Sequence, residues 1–203
     1  FSIQLGAIYK PSPNIRLGLS YQSPTWYRIQ EELVQYVATY REDSSDEVDP
    51  QIINLYEYNV KTPSKLSTGL AYIFGSKGLI SFEYNLVNFQ NIEFDTQQGN
   101  DDSINLNKEI KSTLKKAATY RIGGEYRIEE LSLRGGYFSH QNLNKTTPDF
   151  SKGYSLGIGY DFGGSNLSAT FLKQKSERTE LIYQQGLDDP IDLNNEQVQI
   201  VVT

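Results

Sequence analysis

The chain has 203 residues, with 19 Lys plus Arg against 25 Asp plus Glu, one His, and neither Cys nor Met. A net charge of -6 argues against a nucleic-acid partner, and without Cys there is no disulfide, thiolate nucleophile or cysteine zinc site. Hydrophobic residues make up only 37% and aromatics 12%, too few apolar groups for a generous soluble core but too many rings for a disordered chain.

Phe1 opens directly into an alternating apolar pattern with no charged and apolar leader, as expected of a mature or truncated chain. No run reaches the roughly 18 apolar residues of a membrane helix, so any bilayer crossing is made by strands. The first strand reads Ile3, Leu5, Ala7, Tyr9; after the Pro-stiffened turn at 10–14 the second reads Ile15, Leu17, Leu19, Tyr21. Over residues 31–41, Leu33, Tyr36, Val37 and Tyr40 recur at helical spacing, which predicts an amphipathic helix in an outer loop, its apolar face either packed against a neighbouring loop or forming one wall of a groove for a hydrophobic ligand. The acidic run 42–49 lacks the spaced ligands and Gly of a calcium loop and reads as a solvated loop.

Residues 52–74 read as one long strand with Pro63 inside it, a bulge or kink in the wall. It turns at 75–78 into Ile80, Phe82, Tyr84, Leu86. Residues 103–117 carry Ile104, Ile110, Leu114 and Ala117 near helical spacing and predict a short helix on the rim. Further hairpins turn near 129–130 and at 163–166, and a final strand, Val198, Ile200, Val202, looks a few residues short.

Short turns thus alternate with long polar connections at about 29–51, 91–117, 141–152 and 179–194, the asymmetry of an outer-membrane barrel. Tyr9, Tyr72, Phe74, Tyr126, Tyr160 and Phe162 all precede short turns, as a lower aromatic girdle would; Tyr21, Tyr84 and Tyr137 suit an upper one. The opposite face carries Arg16, Glu83, Arg121, Glu125, Arg127, Arg134 and Asp161, expected to line a lumen and to pair with one another. The expected fold is an all-β, antiparallel transmembrane β-barrel. Its nine strands are an odd number, so a larger barrel is expected, because an open edge in lipid leaves backbone groups unpaired.

Enzymatic chemistry is not expected. Ser139 and His140 are adjacent on a strand and point to opposite faces, so they form no nucleophile–base pair. Gly157-Ile158-Gly159 is followed by no helix and is not a nucleotide loop. No cofactor or metal is expected.

In this order the chain resembles the FadL/TodX family of outer-membrane transporters for hydrophobic compounds. The stretches that carry the resemblance are 5–9 through 16–23, Lys61-Thr62-Pro63 through Gly69-Leu70-Ala71-Tyr72, Tyr120 to Tyr126, and Gly157 to Tyr160. The resemblance implies a fourteen-stranded barrel with an N-terminal hatch, of which this chain is the C-terminal portion, lacking the hatch and about five strands. It also implies passive uptake of hydrophobic small molecules such as long-chain fatty acids across the cell outer membrane. The expected partners are that ligand, the lipid bilayer and the rest of the same barrel. Some relatives serve protein export, so the alternative is a structural or carrier barrel of a secretion assembly.

Overall fold

The computed structural model describes residues 1–35, 38–41, 44–47, 52–96, 101–145, 150–180 and 191–203. The described strands are β1 (Gln4–Tyr9), β2 (Ile15–Gln22), β3 (Trp26–Gln35), β4 (Ala38–Arg41), β5 (Ser44–Glu47), β6 (Ile52–Lys61), β7 (Lys65–Ile73), β8 (Gly78–Asn88), β9 (Glu93–Thr96), β10 (Lys116–Ile128), β11 (Leu131–Gln141), β12 (Phe150–Asp161), β13 (Asn166–Glu180) and β14 (Ile191–Val202). One helix, α1 (Asp101–Thr113), precedes β10.

Nine strands form one antiparallel sheet in the order β1-β2-β7-β8-β10-β11-β12-β13-β14. Period-two alternation dictates its two faces. One face carries Leu17, Leu70, Phe82, Ile122, Leu133, Leu156 and Ile158, all exposed. The other carries Glu83, Asn85, Arg121, Glu125 and Arg134, with Gly and Ser between them. Among the described residues, substantial contacts run only between hydrogen-bonded neighbours and where α1 and the helical turn at Phe89–Asn91 meet β9, β10 and each other, so no second layer of described residues covers either face. Only Ala118 (4% exposed), Asn85 (5%) and the glycines Gly153 and Gly159 are buried among the described residues. A soluble globule of this mass exposes about 9,700 Å², whereas this chain exposes 15002 Å². A sandwich is thereby excluded, and the continuous apolar face is built to meet hydrocarbon.

The register carries the tilt of a barrel wall. Tyr9, Leu17, Leu70, Phe82, Ile122, Tyr137 and Tyr154 are successive cross-strand partners in one row. Six steps of about 4.8 Å on strands tilted by ~40° climb roughly 19 Å. Along β12, the eight residues from Phe162 to Tyr154 rise about 21 Å at that tilt, near the ~25 Å of a membrane barrel's apolar band. The row thus starts at the lower girdle and ends at the upper. Tyr72–Phe74 and Tyr160–Phe162 ring pairs, with centroids 5.0 and 4.7 Å apart, belong to the lower girdle, and Tyr84–Tyr120 (5.2 Å) belongs to the upper.

Several expectations are corrected. Residues 52–74 form two strands in different sheets: β6 ends at Lys61 and β7 begins at Lys65, with Pro63 in the gap. Across from it, Pro24 separates β2 from β3, and the Thr62 N–H to Thr25 carbonyl bond (2.9 Å) and the Thr25 N–H to Thr62 Oγ1 bond (2.9 Å) bridge the two breaks. Neither proline can donate to a ladder, so both interruptions fall at one level. Above it, β3, β6 and β9 form a separate three-stranded ribbon. The helix expected over 31–41 is absent: Leu33 lies in β3 and Tyr40 in β4, while Tyr36 and Val37 lie outside the described residues. Ten paired positions between β3 and β6 satisfy this backbone, which a local helical spacing of four residues does not outweigh. The helix before β10 is present, although Ala117 falls in β10. The last strand, β14, is twelve residues long, and its register leaves Asn166 and Leu167 at the start of β13 without a partner on it. Half of the acidic stretch 42–49 lies outside the described residues, and the other half, 44–47, is β5.

Candidate functional site

Two features combine: the polar face of the nine-stranded sheet and a cleft in the outer ribbon above it. On the polar face, Glu83 of β8 and Arg121 of β10 are direct cross-strand partners, and Arg121 Nη1 donates to Glu83 Oε1 at 2.7 Å. Asn85 donates its amide to the same Glu83 oxygen. Glu125 accepts from Arg134 Nε across the β10–β11 ladder at 2.7 Å, and from Arg127 on its own strand. Glu125 is the most enclosed member, with a side chain 21% exposed against 44% for Arg134 and 58% for Arg127. This face is lined by satisfied ions that remain open to water.

Glycines make room for these long side chains. A Cβ on Gly159 would stand 3.3 Å from Arg134 Nη1, and one on Gly153 would stand 2.7 Å from the Phe138 ring and from the Lys173 carbonyl. Of the seven residues expected to line a lumen, five form these two clusters. Arg16 and Asp161 do not join them. Arg16 donates to the Ser12 and Ile15 carbonyls at the first turn, and Asp161 accepts from the Gly163 N–H at 2.8 Å, closing the β12–β13 turn. The sequence reading missed Asn85 and the Thr119 Oγ1–His140 Nδ1 contact of 3.0 Å, although both lie at the polar parity of their strands.

The ribbon cleft has a volume of about 640 Å³. Tyr27, Val60 and Phe94 are successive partners across β3, β6 and β9, making an apolar row. Trp26, Lys61 and Glu93 make the next row, whose side chains point to the other face of the ribbon, and Lys61 Nζ bonds Glu93 at 2.8 Å. Asn107 of α1 holds the rim: its amide donates to the Phe94 carbonyl at 2.7 Å and its oxygen accepts from the Phe94 N–H at 2.9 Å. The hydrogen bond from Lys61 holds the Glu93 carboxyl below its ordinary range. Tyr58 donates to Glu31 at 2.7 Å, and that bond to a carboxylate raises the phenol's pKa. Trp26 stacks against Phe1, with ring centroids 6.4 Å apart, which ties the start of the chain to the ribbon. The cleft combines the apolar surface of Trp26, Tyr27, Val60 and Phe94 with six polar or charged lining residues, Arg28, Asn59, Lys61, Glu93, Asp95 and Asn107. Pro63 borders this region as the break between wall and ribbon.

No protein-family model matches the sequence, nor does any curated protein. Solved structures do. The toluene transporter TodX of Pseudomonas putida aligns with a TM-score of 0.52 and 15% identity over 98% of this chain and 47% of its own. The monoaromatic hydrocarbon channel CymD aligns with a TM-score of 0.51 and 17% identity over 86% of this chain and 45% of its own. The chain therefore spans less than half the length of these relatives. The likeness is one of fold, and the chain has the barrel-wall fold of outer-membrane hydrocarbon channels.

Proposed function

We propose that this chain is part of an outer-membrane β-barrel that conducts hydrophobic small molecules passively across the membrane. The observation that carries the reading is the ribbon cleft, with Tyr27, Val60 and Phe94 in one row directly above a wall whose outer face is apolar and whose inner face is charged. Toluene transport by TodX and monoaromatic hydrocarbon conduction by CymD support it. In this reading the cleft takes the apolar molecule from outside, and the charged face lines the interior. Monoaromatic hydrocarbons fit the cleft better than long-chain fatty acids, because no cation stands free among its described lining to meet a carboxylate: Lys61 is engaged by Glu93 and Arg28 by Glu57. The edges β1 and β14 pair on one side only and are closed by further strands of the same barrel, fourteen in all.

The test is uptake of labelled toluene and of labelled oleate by cells carrying the complete protein, wild type or Val60→Asp, with heat-modifiable migration as the folding control. Toluene uptake reduced at least about tenfold by a folded variant is the expected result. Unchanged uptake by a folded Val60→Asp protein would remove the cleft from the mechanism and favour a structural barrel of a secretion assembly.

A further inference from the structure

The upper aromatic girdle continues sideways into a row of a different character. Tyr84, Tyr120, Ser139, Lys152, Lys175 and Glu196 are successive cross-strand partners on the outward face from β8 to β14. The tyrosines mark the depth at which bilayer hydrocarbon gives way to headgroups. Because the row climbs as it crosses tilted strands, its lysines stand above that depth. Lys152 is two residues beyond Tyr154 on β12, and at the same tilt this places it about 5 Å higher. Lys173, the direct partner of Tyr154, stands about 3 Å higher by the same geometry.

Lys152 and Lys175 are direct cross-strand partners, like charges that a strand pair ordinarily avoids. The fold brings both ammonium groups over one ring: Lys152 Nζ lies 4.8 Å from the Phe150 centroid and Lys175 Nζ 6.0 Å. The carboxylates nearby are engaged with other lysines or with Lys175 alone. Glu196 pairs with Lys173, and Glu177 with Lys175 at 2.7 Å. Lys152 has a cation–π contact and no carboxylate among the described residues. Ser139, its partner on β11, adds a hydroxyl at the same level. Two ammonium groups and a hydroxyl thus stand together on neighbouring strands of the outward face, above the tyrosines.

We propose that Lys152, Lys175 and Ser139 bind a phosphate group of an outer-leaflet lipid headgroup. The anion relieves the repulsion between the two lysines and fixes the top of β12 and β13 in the leaflet, and the neighbouring carboxylates confine binding to the gap between the lysines. The proposal rests on the reading of this sheet as a membrane wall with its short turns in the periplasm.

The test uses the complete protein in mild detergent, with lipid binding followed by native mass spectrometry. The probes are bisphosphorylated lipid A, the same lipid with both phosphates removed, and inorganic phosphate. Wild type is compared with Lys152→Gln/Lys175→Gln and with Lys108→Gln in α1. With each lysine adding about 1 kcal/mol toward an anionic headgroup, the double variant should bind bisphosphorylated lipid A about 10- to 30-fold more weakly. Lys108→Gln should match wild type, and wild type should bind the dephosphorylated lipid correspondingly weakly. Equal affinity of wild type and the double variant, or equal affinity for both lipids, would overturn the site. Saturable inorganic phosphate binding that the double variant loses would reassign it to free phosphate. Membrane insertion separates the two readings: insertion with equal lipid binding overturns the site alone, whereas a wild type that fails to insert overturns the membrane wall and the site with it.

Discussion

Gly78 opens β8 at φ +152°, a conformation that side chains rarely adopt, and a Cβ there would stand 2.1 Å from the Glu125 carbonyl oxygen of the neighbouring strand. Backbone cannot yield as a flexible side chain does. Gly78→Ala should therefore cost about 2–4 kcal/mol, while Gly164→Ala, with open space around its Cβ, should be nearly neutral; urea unfolding midpoints in detergent check the difference. Glu125 supports a prediction in the same assay. It accepts from two arginines, but all three side chains remain in reach of water, so the several kcal/mol of a fully enclosed ion do not apply. Glu125→Gln should cost about 1–2 kcal/mol, against at most about 0.5 for Glu57→Gln, whose bond to Arg28 is long at 3.4 Å and exposed. Equal midpoints for the two variants would show that the Glu125 cluster contributes nothing beyond a surface pair.

At the scale of elements, the Lys61–Glu93 bond gives the outer ribbon a dependence on pH. Lys61 lowers the Glu93 pKa, so their bond contributes stability at pH above the unfolded value, near 4.5, and loses it as the pH falls through the lowered folded value. Acidification through and below that value should expose β6–β9 amides to hydrogen exchange before those of β10–β13, and Glu93→Gln should remove the pH dependence. The wall strands and their turns were legible in the sequence because alternation is local and Gly, Ser, Asn and Pro mark the turns. The ribbon was not. Its pairing joins residues near 30, 57 and 94, and within 31–41 a few apolar residues at helical spacing imitated a helix. The two breaks at Pro24 and Pro63 are legible only together, since each alone reads as a tolerated bulge. Trp26 and Phe94 carried no signal of a cleft, because the three strands that bring them together are separated by tens of residues.

For the whole molecule, the two-faced sheet and its register were foreshadowed by the parity of the apolar residues, and the seven charged residues by the opposite parity. Sequence could not say which charges would meet, because partner choice depends on cross-strand register. Arg121 meets Glu83 and Arg134 meets Glu125, but Asp161 turns back onto its own hairpin. The central claim is that the face bearing Tyr154, Leu156 and Ile158 meets hydrocarbon while the face bearing Ser151 and Ser155 meets water. Single cysteines at these five positions of the complete protein, spin-labelled and reconstituted in lipid vesicles, test it through their accessibility to molecular oxygen and to a water-soluble nickel chelate. Oxygen-dominated relaxation is expected at 154, 156 and 158 and nickel-dominated relaxation at 151 and 155. Equal nickel accessibility at both sets would contradict it.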